Sequence, residues 1–446
     1  MLTNMKYDGA RDWMIEEERF DSSVLGKCEA IMSLGNGYLG LRSTTEEKYL
    51  NEKRNYFVAG TFNKFDDNEV TELPNMADII NLELFVNDHY FTLEKGEIKE
   101  YSRQLNLKTG ELHRHIVWIS PDKVELKLDF YRVVSLKNIH LVAQKVVITP
   151  INHAVSLKIV SGIDGRMSNS GSQHFSDGDK RFYDKKYMQF VQTTVESKID
   201  VIHNTTLTFT ADGKPCELQS RIVMDRRKIF CEYQEELQSN TTLTIEKISN
   251  VYTSRDLENE GLDRNAIQEK SLQALKLSAS NGYDMIASES AREWNRKVWS
   301  KTPILIEAED EFDQLAIRFA QYHLYAMAPA HDNRMSIAAK GLSGEGYKGH
   351  TFWDTDIFVL PYFTFTAPEI ARKLEEYRYL SLKGAHKKAK SNGYEGAQFP
   401  WESAWLEDGE VTPVWGAADI VTGLPTKIWS GFIEQHITAD VAYGVW

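Results

Sequence analysis

Two short stretches of this 446-residue chain set aromatic and acidic side chains next to one another. One is AAKGLSGEGYKGHTFWDTDIFVLPYF, with Phe352-Trp353-Asp354 inside it; the other is EGAQFPWESAWLEDGE, with Trp401-Glu402. That pairing suits a sugar. A pyranose ring offers apolar C–H faces that stack on an aromatic plane, and a rim of hydroxyls that donate to carboxylates. Lys348 and His350 add donors nearby. The competing assignment makes Trp353 and Trp401 core residues and Asp354 the cap of a helix starting at Thr355.

Other candidate motifs carry less. Gly35-Gly37-Gly40 and Gly344-Gly346-Gly349 both match G-x-G-x-x-G, but neither lies between a strand and a helix, so tight turns explain them better than a dinucleotide. His113 and His115 share one face of a strand without a third ligand at sensible spacing, and the cysteines do not cluster, so no metal is expected. His436 and Asp440, four residues apart, read as a surface or core pair. The Asn204 and Asn240 glycosylation patterns are expected to be idle.

The elements that must position these residues follow from periodicity. From about Ile79 to Lys247 the pattern is mostly two, in short runs separated by turn signals at Asn87-Asp88 and Pro121-Asp122-Lys123. This predicts an antiparallel β-sandwich. The segment before Ile79 is loop-rich, with SLGNGYLGLR its densest glycine stretch. After Ser254, two Ala/Leu/Glu/Lys-rich runs predict a helical linker ending before Pro303. FDQLAIRFAQYHLYAMA then places Leu315, Phe319, Tyr322 and Ala326 on one helical face. PEIARKLEEYRYLSLKGAHKKAK predicts one helix opened by Pro368, and GFIEQHITADVAYGVW another, which reaches Trp446 without a cap and looks interrupted. Long loops over 332–351 and 392–430 separate these helices, which is uncommon unless they build a site. The expected division is a β-sandwich domain over 1–260, a helical linker over 261–305 and an all-α part over 306–446.

Composition narrows the function classes. With 42% hydrophobic and 26% charged residues the chain is an ordinary globular one, which excludes disorder and collagen-like structure. Fifty-two Lys+Arg against 65 Asp+Glu, a net charge of −13, argues against nucleic acid as a partner. No apolar run approaches ~18 residues, so no membrane span is expected. The first twenty residues, with Arg11 and Glu16 to Glu18 among them, hold no signal-type apolar run, and three sparse cysteines suit a reducing compartment. A cytoplasmic enzyme is the expectation.

SLGNGYLGLR, AREWNRKVW, GLSGEGYKGHTFWDTDIF, FPWESA and HITADVAYGVW, in that order along the chain, resemble glycoside hydrolase family 65, the α-glucoside phosphorylases. The resemblance implies a β-sandwich, a linker and an (α/α)6 catalytic barrel, here only its first part. It implies inverting phosphorolysis of an α-linked glucose disaccharide by inorganic phosphate to β-glucose 1-phosphate, with no cofactor and with a homodimer as the assembly. Asp354, Trp401 and Glu402 would hold the glucose, Phe352 and Trp353 would shape its wall, and Lys348 and Thr438 would line the pocket. Lys348 stands where some relatives carry arginine, and lysine cannot make a forked contact. The family's general-acid glutamate sits in a GPDEYHE-like motif that these 446 residues do not contain. It is expected beyond Trp446, which would leave this chain inactive by itself. The alternatives are an inverting hydrolase of related fold, with Asp354 or Glu402 as its acid, and a non-catalytic carbohydrate-binding protein.

Overall fold

The computed structural model describes residues 5–6, 13–67, 69–310 and 312–446. Period-two patterning becomes strand. In Glu111–Ile119, Leu112, Arg114, Ile116 and Trp118 are buried while the residues between them are half-buried. Among the described residues eleven strands form one antiparallel sheet. Its path runs from Met5–Lys6 and Met14–Glu17 through Glu97–Asn106, Glu111–Ile119, Glu125–Val134, Leu141–Pro150, Leu243–Thr253 and Asp200–Ala211 to Tyr187–Thr193 and Asp179–Tyr183, with Lys214–Cys216 paired to Asp200–Ala211 off that path. A second sheet orders Gln219–Asp225, Lys228–Leu237, Val155–Asp164, Leu82–Val86 and His89–Tyr90. The two sheets face each other. Buried Lys247, in the large sheet, donates to the Asn81 and Gly162 carbonyls at 2.9 and 3.0 Å, and Gly162 belongs to the smaller one. Asn87, Asp88 and Lys123 take left-handed turn conformations, as their turn chemistry predicts.

The segment before Ile79 is irregular yet mostly buried, and charge holds it. Arg114 reaches Glu47 at 2.5 and 2.6 Å and Glu46 at 3.0 Å; Arg132 also pairs with Glu46 and bonds the Thr44 carbonyl at 2.8 Å. Arg103 pairs with Glu17 at 2.8 Å and donates to the Ser43 carbonyl at 3.0 Å. Three arginines of the large sheet thus pin Ser43 to Glu47. Burial alone would raise the Glu46 carboxyl, but Arg132 and Arg114 override it and hold it below its ordinary value. The stability this contributes is present above the ordinary carboxylate pKa and drains away as pH falls through the lowered one.

Helix α1 (Leu25–Ile31) lies in that segment, and the remaining helices follow the sheets. Helix α2 (Arg264–Trp294) starts at Asp263, whose carboxylate accepts from the Ala266 N–H at 2.8 Å. It breaks at Gly282 (φ 73°), so two helical pieces occupy this stretch. Helix α3 (Phe312–Met327) buries Leu315, Tyr322 and Ala326 and half-buries Phe319. The helix expected from Pro368 is instead two, α5 (Pro368–Leu380) and α6 (Leu382–Ser391), after a short α4 (Leu360–Thr366). Ser381 diverts its hydroxyl to the Tyr377 carbonyl at 2.7 Å, and the turn there lets Gly384 meet the backbone of Leu406 and Gly409. The last expected helix also divides, at extended Glu434, into α7 (Ser430–Ile433) and α8 (Ile437–Val445), so that Ile437 and Val441 pack on Ala385 and Phe399.

SLGNGYLGLR joins the two halves of the molecule. Gly37 (φ 81°) turns the chain and donates to the Ala326 carbonyl at the end of α3, 2.7 Å away. A Cβ on Gly40 would lie 2.0 Å from the Leu342 Cβ. Turns explain only part of this glycine pattern, because Gly40 serves close approach of two chain segments. Replacing Arg114 by Met should lower the urea midpoint by the equivalent of about 3–5 kcal/mol, since it strands buried Glu47 and takes one of two cations from Glu46. Lys99→Met, at the exposed Lys99–Glu125 pair, should stay within about 1 kcal/mol.

Candidate functional site

The two aromatic–acidic motifs are 48 residues apart between Asp354 and Glu402 in the chain, and a two-residue backbone bridge unites them. Thr351 and Ser403 exchange N–H···O bonds, both 2.9 Å. Arg378 of α5, fully buried, ties the same joint. It grips Asp356 at 2.9 and 2.5 Å, the Phe352 carbonyl at 3.1 Å and the Ser403 hydroxyl at 3.3 Å. On the other side, Glu410 accepts from the backbone N–H groups of Trp401 and Glu402 at 2.9 and 3.1 Å. Buried Lys388 of α6 neutralises Glu410 at 2.5 Å. A buried carboxylate without such a partner would be expensive, so these pairs fix where the motif backbones run.

The result is a cavity of about 720 Å³ lined by Lys348, Phe352, Trp353, Asp354, Trp401 and Glu402. Trp353 and Trp401 lie with ring centroids 6.5 Å apart, and Phe352 meets Trp401 edge-on at 6.0 Å. Each indole also packs against the cluster of Ala385, Phe399, Ile437 and Val441, so core and cavity roles coexist. The helix-cap alternative for Asp354 fails: its side chain caps nothing, and the residue is exposed at the cavity. Glu402 is buried and gives Oε2 to His350 Nδ1 at 2.6 Å. Lys348, in a left-handed conformation (φ 56°), reaches Glu72 at 3.3 Å. Burial would raise the Glu72 carboxyl, but hydrogen bonding to His174 and the charge of Lys348 bring it below its ordinary value.

Thr438 is not part of the lining. Its hydroxyl accepts from the Phe399 N–H at 3.0 Å and supports the loop behind the wall. His436 packs edge-on against Trp353 at 4.9 Å and pairs with Asp440 at 2.5 Å, the surface reading of that spacing. His113 and His115 both bond to Asp129. Among the described residues no group of three or more His, Cys, Asp or Glu could hold a metal ion. Sequence reasoning missed Lys340, Tyr347, Pro413, Ile428 and Ser430 in the lining. None of these carries a local signature, since Ile428 and Ser430 arrive only after the hairpin of Trp415–Ala418 and Pro425–Lys427.

A carboxyl raised to about 7 occurs in the helical part, at Glu375 of α5, through burial first and the nearby Asp356 second. It does not line the cavity, and neither of its oxygens has a hydrogen-bond partner.

Comparison with known proteins adds three findings. Residues 15–297 match the N-terminal domain of glycosyl hydrolase family 65, and residues 318–446 match that family's central catalytic domain. The kojibiose phosphorylase of Halothermothrix orenii is 48% identical over 98% of this chain and 56% of its own length. That of Escherichia coli is 36% identical over 97% and 55%, and the alpha,alpha-trehalose phosphorylase of Thermoanaerobacter brockii 31% over 97% and 56%. The chain therefore spans about half the length of the curated relatives it matches. A solved structure from the human microbiome, provisionally named a kojibiose phosphorylase, superimposes with a TM-score of 0.85 at 19% identity, over 99% of this chain and 56% of its own. That likeness speaks for the fold.

Glu375 gives the site's scaffold a pH signature. Its raised folded pKa makes the folded state bind more protons than the unfolded one between about pH 4.5 and 7, so this residue's contribution to stability falls as pH rises through that window. Glu375→Gln should flatten that part of the stability–pH curve relative to the unsubstituted protein, as read from urea midpoints across pH 4 to 8. An unchanged curve would mean the carboxyl titrates normally.

Proposed function

The chain belongs to glycosyl hydrolase family 65, and on that premise we propose that its cavity holds the glucosyl unit of an α-linked glucose disaccharide that inorganic phosphate cleaves. The convergence of Trp353, Trp401, Asp354 and Glu402 on one cavity carries this reading. The indoles supply apolar planes for the C–H faces of the ring. Glu402, already desolvated, and Asp354, without a helix-capping duty, supply acceptors for its hydroxyls. Kojibiose is the disaccharide favoured, because relatives 48% and 36% identical to this chain over the matched stretch carry that name.

The chemistry is inverting. An acid protonates the glycosidic oxygen while phosphate attacks the anomeric carbon from the opposite face, standing where an inverting hydrolase holds its water. β-Glucose 1-phosphate and the released sugar are the products, and no cofactor takes part. No GPDEYHE-like motif occurs in the 446 residues, so we assign them the grip on glucose and not the proton transfer. The same reading divides the chain into a β-sandwich domain, a helical linker and the first part of an (α/α)6 barrel. Exposed apolar side chains such as Phe365 on α4 and Tyr443 on α8 support the last of these.

Titration with glucose, followed by tryptophan fluorescence, should saturate. Trp401→Ala should weaken the affinity about tenfold, as loss of a stacking plane does. Glu402→Gln should weaken it by about ten- to hundredfold, the worth of a hydrogen bond to a charged group. Kojibiose with phosphate should yield no sugar phosphate from this chain alone. Release of free glucose without phosphate would favour a hydrolase, and glucose bound by the β-sheet part alone would favour a binding module.

A further inference from the structure

His350 is fully buried and lies between two acceptors. Its Nε2 is 2.6 Å from the Thr71 carbonyl oxygen, and its Nδ1 is 2.6 Å from Oε2 of Glu402. A carbonyl oxygen can only accept, so Nε2 carries a hydrogen. That leaves Nδ1 as the ring atom hydrogen-bonded to Glu402 Oε2. No described group competes for either nitrogen: the other ring contact is Phe62, tilted at 6.4 Å.

We propose that His350 is a positioning residue of the sugar cavity: clamped between the Thr71 carbonyl and Glu402, it takes Oε2 and leaves Oε1 as the oxygen that meets a sugar hydroxyl. The proposal rests on the glucose reading of the cavity. It explains how a carboxylate as buried as Glu402 is kept where a ligand can use it, since among the described residues no arginine or lysine pairs with it and the imidazole fixes one of its oxygens. It also brings the β half into the site. Thr71 is followed by Glu72, which pairs with Lys348, and by Leu73, whose N–H donates to the Lys348 carbonyl at 2.9 Å. One extended strip of the β half therefore holds two neighbours of the cavity, Lys348 through charge and backbone and Glu402 through the imidazole.

The test uses the whole chain labelled with ¹⁵N-histidine. The His350 ring signals, assigned by their loss in His350→Asn, should move when Glu402 is replaced by Gln, because Nδ1 faces that carboxylate. Unmoved signals overturn the proposal. Glucose titration then separates positioning from packing. Asn places an amide where Nδ1 stood and should keep affinity within about threefold; Gln places one where Nε2 stood and should lose about tenfold while keeping the Thr71 contact. Equal losses, or a better Gln variant, would reduce His350 to a structural role. If the unsubstituted chain binds no glucose, the functional reading fails on its own account, because the histidine spectrum reads the His350–Glu402 contact without sugar.

Discussion

A carboxylate removed from water needs a partner or, like Glu375, holds its proton more tightly, and at its joints this molecule supplies partners of different kinds. Arg114 and Arg132 answer Glu46 and Glu47, which secures an irregular segment against the large sheet. Arg378 answers Asp356, which locks the Phe352-Trp353 turn; Lys388 answers Glu410, which holds the Trp401-Glu402 backbone. His350 answers Glu402. Each pair is buried on both sides or nearly so, where breaking it costs far more than its formation contributes. The scaffold is thus specific more than it is cheaply stable. Asp354 is the exception, an acid beside a tryptophan that is left exposed at the cavity, and that difference from its neighbours is what makes it a ligand candidate.

The β half is more than a platform. Its glycine-rich segment touches the end of α3 and the loop at Leu342, and its Thr71–Leu73 strip fastens His350 and Lys348. Lys348 and the preceding Tyr347 are held at positive φ within the loop that this strip fastens. Strained backbone of that kind persists only where surrounding contacts over-determine it. The long loop over 332–351 therefore has an order imposed from outside, by a neighbour almost 280 residues earlier in the chain.

Local chemistry made much of the fold readable. Alternation in Glu111–Ile119, the turn residues Asn87 and Asp88, the Asp263 cap and the apolar face of α3 are each decided by residues within a few positions of one another. Where a distant contact outweighed local preference, the reading went astray. The run from Pro368 has no breaker, yet it divides at Ser381 because Gly384 must reach the backbone of Leu406 and Gly409. Glycines assigned to turns partly serve close approach, which has no local signal.

The amino-acid sequence by itself determined the division into strand-rich and helix-rich stretches and the six residues, from Lys348 to Glu402, whose chemistry suits a sugar. Pattern, composition and motif are properties of neighbours, and they need no third dimension. Tertiary structure alone decided that these six share a cavity while Thr438 stands behind its wall, that Lys340, Tyr347 and Ser430 join them, and that His350 is a clamp on Glu402. The reason is that a hydrogen bond between Thr351 and Ser403, or between Thr71 and His350, depends on distance in space, and the intervening residues carry no record of it.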